Sequence, residues 1–154
     1  MVKRLFVMLA VGIALAACST AAPATQPAAE EPVMEGRPSE PAPLDAFRAD
    51  SVEHVAMTGN PQLVEFFAFW CSTCRRARPI VHELEAEYWG EIDFVYLDID
   101  DPANREAMDR YGYRAQPFFV LLDEEGQVIN TWFGVQDAST LRTAFDSLLE
   151  MSAN

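Results

Sequence analysis

Leu63-Val64-Glu65-Phe66-Phe67-Ala68-Phe69-Trp70-Cys71-Ser72-Thr73-Cys74 is the stretch that decides how this chain folds. Residues 62–70 are apolar almost throughout, with Glu65 as the main interruption. A short run of that kind reads as a central strand buried on both faces. Beyond it, Ile80, Val81, Leu84 and Tyr88 share one helical stripe, so residues 72–88 read as a helix. A Cys-x-x-Cys pair therefore sits where a buried strand gives way to a helix, with Cys71 at the helix N-terminus. Free backbone N–H groups and the helix dipole favour an anion there. A thiolate is such an anion, so Cys71 is expected to be the low-pKa, attacking thiol. Arg75, Arg76 and Arg78 follow at once and add positive charge. Cys74 lies one turn further in and suits the resolving step of a disulfide exchange.

Outward from this stretch, elements alternate. Residues 44–58 carry apolar side chains at 44, 47, 52, 55 and 56 and predict an amphipathic helix stopped by Gly59-Asn60-Pro61. Residues 92–97 read as a strand, and 102–111 as a short helix with Asp101 as N-cap. Residues 118–122 and 128–133 read as strands joined by the turn signal Asp123-Glu124-Glu125-Gly126. Residues 137–151 form a last helix with Leu141, Phe145, Leu148 and Leu149 inward. The expected fold class is α/β: a central mixed sheet flanked by helices, its parallel part extended by an antiparallel hairpin.

A zinc site competes for any Cys-x-x-Cys, but it needs about four ligands. The other candidates, His54 and His82, are far apart and in no paired motif. No metal is expected, and neither a dinucleotide fingerprint nor a flavin motif is present. The only expected redox group is the Cys71–Cys74 pair itself. A formal net charge of −13 argues against nucleic acid as a partner.

The first residues read as an address. Lys3 and Arg4 precede an apolar run, Leu5 to Ala17, too short to span a bilayer core of about 20 residues. It fits the hydrophobic region of a secretory signal. Its end, Leu15-Ala16-Ala17-Cys18, resembles the bacterial lipobox. Residues 1–17 are then a lipoprotein-type signal peptide, and Cys18 becomes the lipidated mature N-terminus, which accounts for the odd cysteine among three. Residues 18–43 are rich in Ala, Pro and Glu with no apolar periodicity, and read as a disordered tether. At about 3.1 Å per residue its stretched reach is roughly 75 Å. The folded domain is expected over residues 44–154.

Residues 62–150 resemble the thioredoxin family. Besides the quoted stretch, Pro79 stands where the family's helix carries a proline, and Ala115-Gln116-Pro117 matches the segment ending in its cis-proline. Gly126 and Gly134 match two later glycines. The resemblance implies a thioredoxin fold and a thiol–disulfide oxidoreductase. It makes Pro117 cis and facing the disulfide, and gives Trp70, Gln116 and Pro117 to the substrate surface. Glu65 takes the place of a buried acid that accepts the proton of Cys74. Three departures stand out: Tyr96 replaces the lysine that accompanies that acid, Ser-Thr replaces the family's usual inner dipeptides, and Gln116 replaces an apolar or small residue.

The tethered arrangement is similar to the membrane-anchored reductants of bacteria and thylakoids that serve cytochrome c maturation and thiol repair. It implies an extracytoplasmic location and a membrane contact through the lipid. Expected partners are protein thiols and disulfides of the cell envelope, plus a membrane electron donor if the protein is a reductant. A monomer is expected. A disulfide-forming oxidant, and a non-catalytic binding or assembly module of the envelope, are the alternatives.

Overall fold

The structure, a computed structural model, describes residues 38–56 and 58–152. The expected signal peptide, Cys18 and most of the expected tether lie outside the described residues. The elements run β1 (Gln62–Phe67), α1 (Ser72–Glu87), β2 (Asp93–Asp98), α2 (Arg105–Tyr111), β3 (Phe118–Leu122), β4 (Val128–Phe133) and α3 (Ala138–Ser152). The sheet order is β2-β1-β3-β4. β1 pairs parallel with β2 and antiparallel with β3, and β4 closes the antiparallel hairpin.

β1 lies inside the sheet, and every one of its residues is buried. Strand alternation sends Leu63, Glu65 and Phe67 to one face and Val64 and Phe66 to the other. The first face packs beneath Val81 and Leu84 of α1 and Leu141, Phe145 and Leu148 of α3, and the same cluster holds Cys71 and Cys74. The second face meets Val95, Leu97, Val120 and Ala107 of α2. Each buried Leu, Val or Phe contributes roughly 1.5–3 kcal/mol relative to exposure. The two layers therefore hold β1 from both sides and fix where its C-terminal end delivers the cysteines.

β1 ends at Phe67, three residues before the end of the apolar run. The chain then turns, with the Cys71 N–H donating to the Ala68 carbonyl at 3.0 Å. The short helix expected over 102–111 begins as a 3₁₀ turn, Pro102–Asn104, capped by the Asp101 side chain, before α2 proper.

One expectation fails. Residues 44–58 do not form a helix, and their only regular piece among the described residues is a 3₁₀ turn at Val52–His54. The segment runs along the exposed edge of β2 instead. The Asp50 N–H donates to the Tyr96 carbonyl at 2.8 Å, and the Asp50 carboxylate accepts from the Tyr96 N–H at 2.9 Å. Edge pairing satisfies backbone groups that a helix would have used internally. The apolar residues are nonetheless partly placed: Phe47 stacks on Phe67, and Val52 and Val55 cover the second core layer. Leu44 remains half exposed.

Candidate functional site

Cys71 is the N-cap of α1 and Cys74 lies in its first turn. They form a disulfide with Cα atoms 5.3 Å apart. The Cys71 sulfur accepts the backbone N–H of Cys74 at 3.0 Å, so the helix aims a donor at this atom. Cys71 keeps 6% of its surface exposed, whereas Cys74 has none. That difference decides which sulfur an incoming protein can reach. Pro79, inside α1, has no N–H for the carbonyl one turn back.

Glu65 lies on the same face of the sheet, 2% exposed. Its Oε1 has no hydrogen-bond partner among the described residues. Burial without a compensating cation pushes its carboxyl up to about 8. The Gln116–Pro117 peptide is cis. Pro117 is next to Phe118, which pairs with Phe66, so it sits at the end of the sheet from which the cysteine loop departs. The Pro117 carbonyl accepts from the Gly134 N–H at 2.9 Å. Gly134 has φ +73°, a region that side-chain-bearing residues rarely enter.

Trp70 is exposed (61%), not a core aromatic, and its indole N–H donates to Asp100 at 2.6 Å. Phe69 and Phe133, each about half exposed, extend an apolar surface around the disulfide end of the sheet. Gln116 is half-buried, and its side-chain oxygen accepts from the Tyr113 hydroxyl. The structure thus brings Cys71, Cys74, Trp70, Gln116 and Pro117 to one end of the sheet, with Glu65 beneath. The remaining expected site residue, Cys18, is outside the described residues. Those residues contain no group of three or more His, Cys, Asp or Glu placed to hold a metal.

The thioredoxin family model matches residues 46–147, about two thirds of the chain. The chain belongs to the thioredoxin family. It is 36% identical over 81 residues to the chloroplastic thioredoxin-like protein HCF164 of Oryza sativa subsp. japonica, covering 53% of this chain and 31% of that one. It is 34% identical over 104 residues to the thiol:disulfide interchange protein TxlA homolog of Synechocystis, covering 68% and 58%. Among solved structures, the thioredoxin of Fasciola hepatica superposes with a TM-score of 0.51 at 32% identity, over 58% of this chain and 82% of that one. A mutant thioredoxin of Halobacterium salinarum gives 0.54 at 26%, over 62% and 80%. The chain spans from under a third to about three fifths of the length of these curated relatives. With its Cys71–Cys74 disulfide, the domain is a thioredoxin-like thiol–disulfide oxidoreductase domain.

One feature of this thioredoxin domain was not foreseen. Tyr96, registered beside Glu65 on the neighbouring strand, is fully buried and donates its hydroxyl to Glu85 Oε2 at 2.9 Å. Glu85, buried on α1, is held by Arg48 at 2.8 Å and also accepts the Ala42 N–H at 3.0 Å. Arg48 further pairs with Asp50, donates to the Phe94 carbonyl, and lies 4.9 Å over the Tyr96 ring. The cation that thioredoxins carry on this strand has no counterpart at position 96. Arg48 is the nearby cation, and it is committed to Glu85 and Asp50. Glu85 is four residues from Val81 and one from Leu84, on the stripe that faces the sheet, but nothing local marks it as buried, because its partner Arg48 lies 37 residues away in sequence. His82 is likewise buried, with Nδ1 2.6 Å from the Pro43 carbonyl, and burial lowers its pKa.

Proposed function

We propose that the protein is an extracytoplasmic reductant of protein disulfides, anchored to a membrane through lipidated Cys18 and serving cytochrome c maturation or thiol repair. The observation that carries this reading is Cys71 at the start of α1, the only one of the two cysteines with any exposed surface, with fully buried Cys74 and buried Glu65, whose Oε1 has no hydrogen-bond partner among the described residues, on the same face.

The steps follow from that arrangement. The Cys71 thiolate attacks one sulfur of a substrate disulfide; a mixed disulfide forms and the other substrate sulfur leaves as a thiolate. Cys74 then gives its proton to the Glu65 carboxylate and attacks Cys71. The 71–74 bond forms, the second substrate thiolate leaves, and two electrons have passed from the dithiol to the substrate. With its carboxyl near 8, Glu65 holds a small ionised fraction at neutral pH, and its affinity for the proton is close to that of a thiol. Exposed Trp70 and half-buried Gln116, next to buried cis-Pro117, form the surface on which the substrate segment lies. Recharging requires a dithiol donor from the membrane.

The reduction potential tests direction. The helix N-terminus stabilises the Cys71 thiolate, which raises the potential, while the acidic domain and the lack of a lysine at position 96 oppose it. Equilibration against glutathione is expected to give roughly −200 to −270 mV. A value near the −120 mV typical of a strong oxidant would make the protein an oxidant. The exposed Phe69, Trp70 and Phe133 favour a second reading, a docking module with little turnover. Insulin reduction by the wild type and its loss in Cys71→Ser would exclude that.

A further inference from the structure

The chain is strongly acidic, yet its cations are not evenly distributed. Arg48, Arg110 and Arg142 are each held by a carboxylate. Arg75, Arg76, Arg105 and Arg114 are exposed and have no carboxylate partner among the described residues, and of these Arg75 and Arg76 lie at the start of α1 beside the disulfide. Arg75 reaches only the carbonyls of Phe69 and Trp70, at 3.4 and 3.3 Å. Arg76 reaches only Ser72 O and Thr73 Oγ1, both at 3.4 Å. These long contacts anchor both guanidiniums to the cysteine loop and leave N–H groups unused. Arg114 stands three residues before cis-Pro117, at the same end of the sheet. Asp100, just past the end of β2, is held by the Trp70 indole, and Asp98 accepts the Asp100 N–H, so neither is paired with Arg75 or Arg76. In a chain of net charge −13, the field at the α1 side of the disulfide is therefore set by local, unneutralised cations.

We propose that Arg75 and Arg76 select protein disulfides flanked by acidic residues, reading those residues on the α1 side of Cys71. This rests on the reductase reading and names its substrate class. A guanidinium presents a fork of donors that fits a carboxylate. Carboxylates on a substrate segment are otherwise repelled by this acidic protein, so the arginine flank is the face on which they gain affinity. Complementary charge of this kind acts mainly on encounter, with gains of ~10-fold or more at low ionic strength.

The test uses protein reduced beforehand, in single-turnover reactions with three peptide disulfides of equal length whose flanking residues are acidic, neutral or basic. Comparing peptides on one enzyme cancels any effect of the arginines on Cys71 itself. The acidic peptide is expected to react roughly tenfold faster than the basic one at low salt, with the ratio falling towards one at 1 M salt, where screening acts within about 3 Å. Arg75→Gln with Arg76→Gln should reduce the ratio by at least about threefold. Arg105→Gln, which removes a charge of the same sign from exposed α2, should leave the ratio as it is. A ratio near one in the wild type, a preference for the basic peptide, or a ratio that the double variant keeps would overturn the recognition proposal. Turnover of no peptide at all would overturn the reductase reading with it.

Discussion

Glu65→Gln isolates the cost of keeping a carboxyl inside the sheet. The native carboxyl is pushed up to about 8 by burial, against an ordinary 4.5. In the unfolded chain it ionises near the ordinary value. Below about pH 4.5 both states hold the proton and the native state bears no ionisation penalty. As pH rises towards 8 the unfolded chain loses its proton while the folded one keeps it, so stability declines across that window. At roughly 1.4 kcal/mol per pH unit, the loss between pH 5 and pH 8 comes to about 4 kcal/mol. Glutamine has nearly the same shape and does not titrate, so its variant lacks this slope. Its amide brings buried donors of its own, at a cost of about 1–3 kcal/mol that does not vary with pH. The comparison of slopes is therefore cleaner than that of absolute stabilities. Urea unfolding of both oxidised proteins at pH 5 and pH 8 reads it directly. With about 1.5 kcal/mol per molar urea, the wild-type midpoint should fall relative to the variant's by roughly 2–3 M. His82 and the surface acids titrate alike in both proteins and cancel. Midpoints that move in parallel between the two pH values would refute the reasoning.

Cys74→Ser should accumulate mixed disulfides with envelope proteins on non-reducing gels, because Cys71, the more accessible of the two, still attacks; Cys71→Ser should not, since Cys74 is fully buried. Glu65→Gln should slow release of the mixed disulfide about 100-fold, the low end of what a general base usually contributes, with rapid formation retained; stopped-flow release at wild-type speed would remove Glu65 from the step. The resolving rate of the wild type should rise with pH through about 8 as Glu65 ionises, a limb absent from the glutamine variant. Cys18 should be lipidated and the mature protein should partition into detergent; mass spectrometry showing a mature chain with a free Cys18 thiol would count against the anchor.

The sheet, its hairpin and the position of the cysteines were legible because they rest on strong local signals. The apolar run starting at Gln62, ended by a Cys-x-x-Cys, signals the buried strand β1, although its last three residues leave the sheet at Phe67, and the periodicity of Ile80, Val81, Leu84 and Tyr88 signals a helix packed on it. The segment 44–58 was misread because the same spacing of apolar residues serves a chain laid along a strand edge. What decides between the two is Asp50 bonding to Tyr96, a contact 46 residues away in sequence that no local pattern encodes. Glu65 was legible as a buried acid because it interrupts an apolar strand. Glu85 was not, since a carboxylate on a helix ordinarily faces water, and its partner Arg48 lies 37 residues upstream in a stretch with no regular structure. The exposure of Trp70 and its bond to Asp100 depend on how two loops meet at the sheet's end, which the spacing of residues does not specify.

The clasp formed by Arg48, Glu85 and the chain at Ala42–Pro43 changes what counts as the smallest self-sufficient piece of this protein. A fragment trimmed to begin at β1 would keep every strand and main helix yet strip Glu85 of Arg48 and the Ala42 N–H, and uncover apolar side chains such as Phe67 that residues before β1 pack against. His82 would also lose the carbonyl that holds its ring. The lost contacts are the Arg48–Glu85 pair, the Phe47–Phe67 stack and the cover that Val52 and Val55 give the second core layer, each buried apolar side chain being worth roughly 1.5–3 kcal/mol against a total margin of about 5–15 kcal/mol. The irregular residues ahead of the first strand therefore act as its keystone, and proteolysis between Ala42 and Asp50 would disable the domain without touching the sheet.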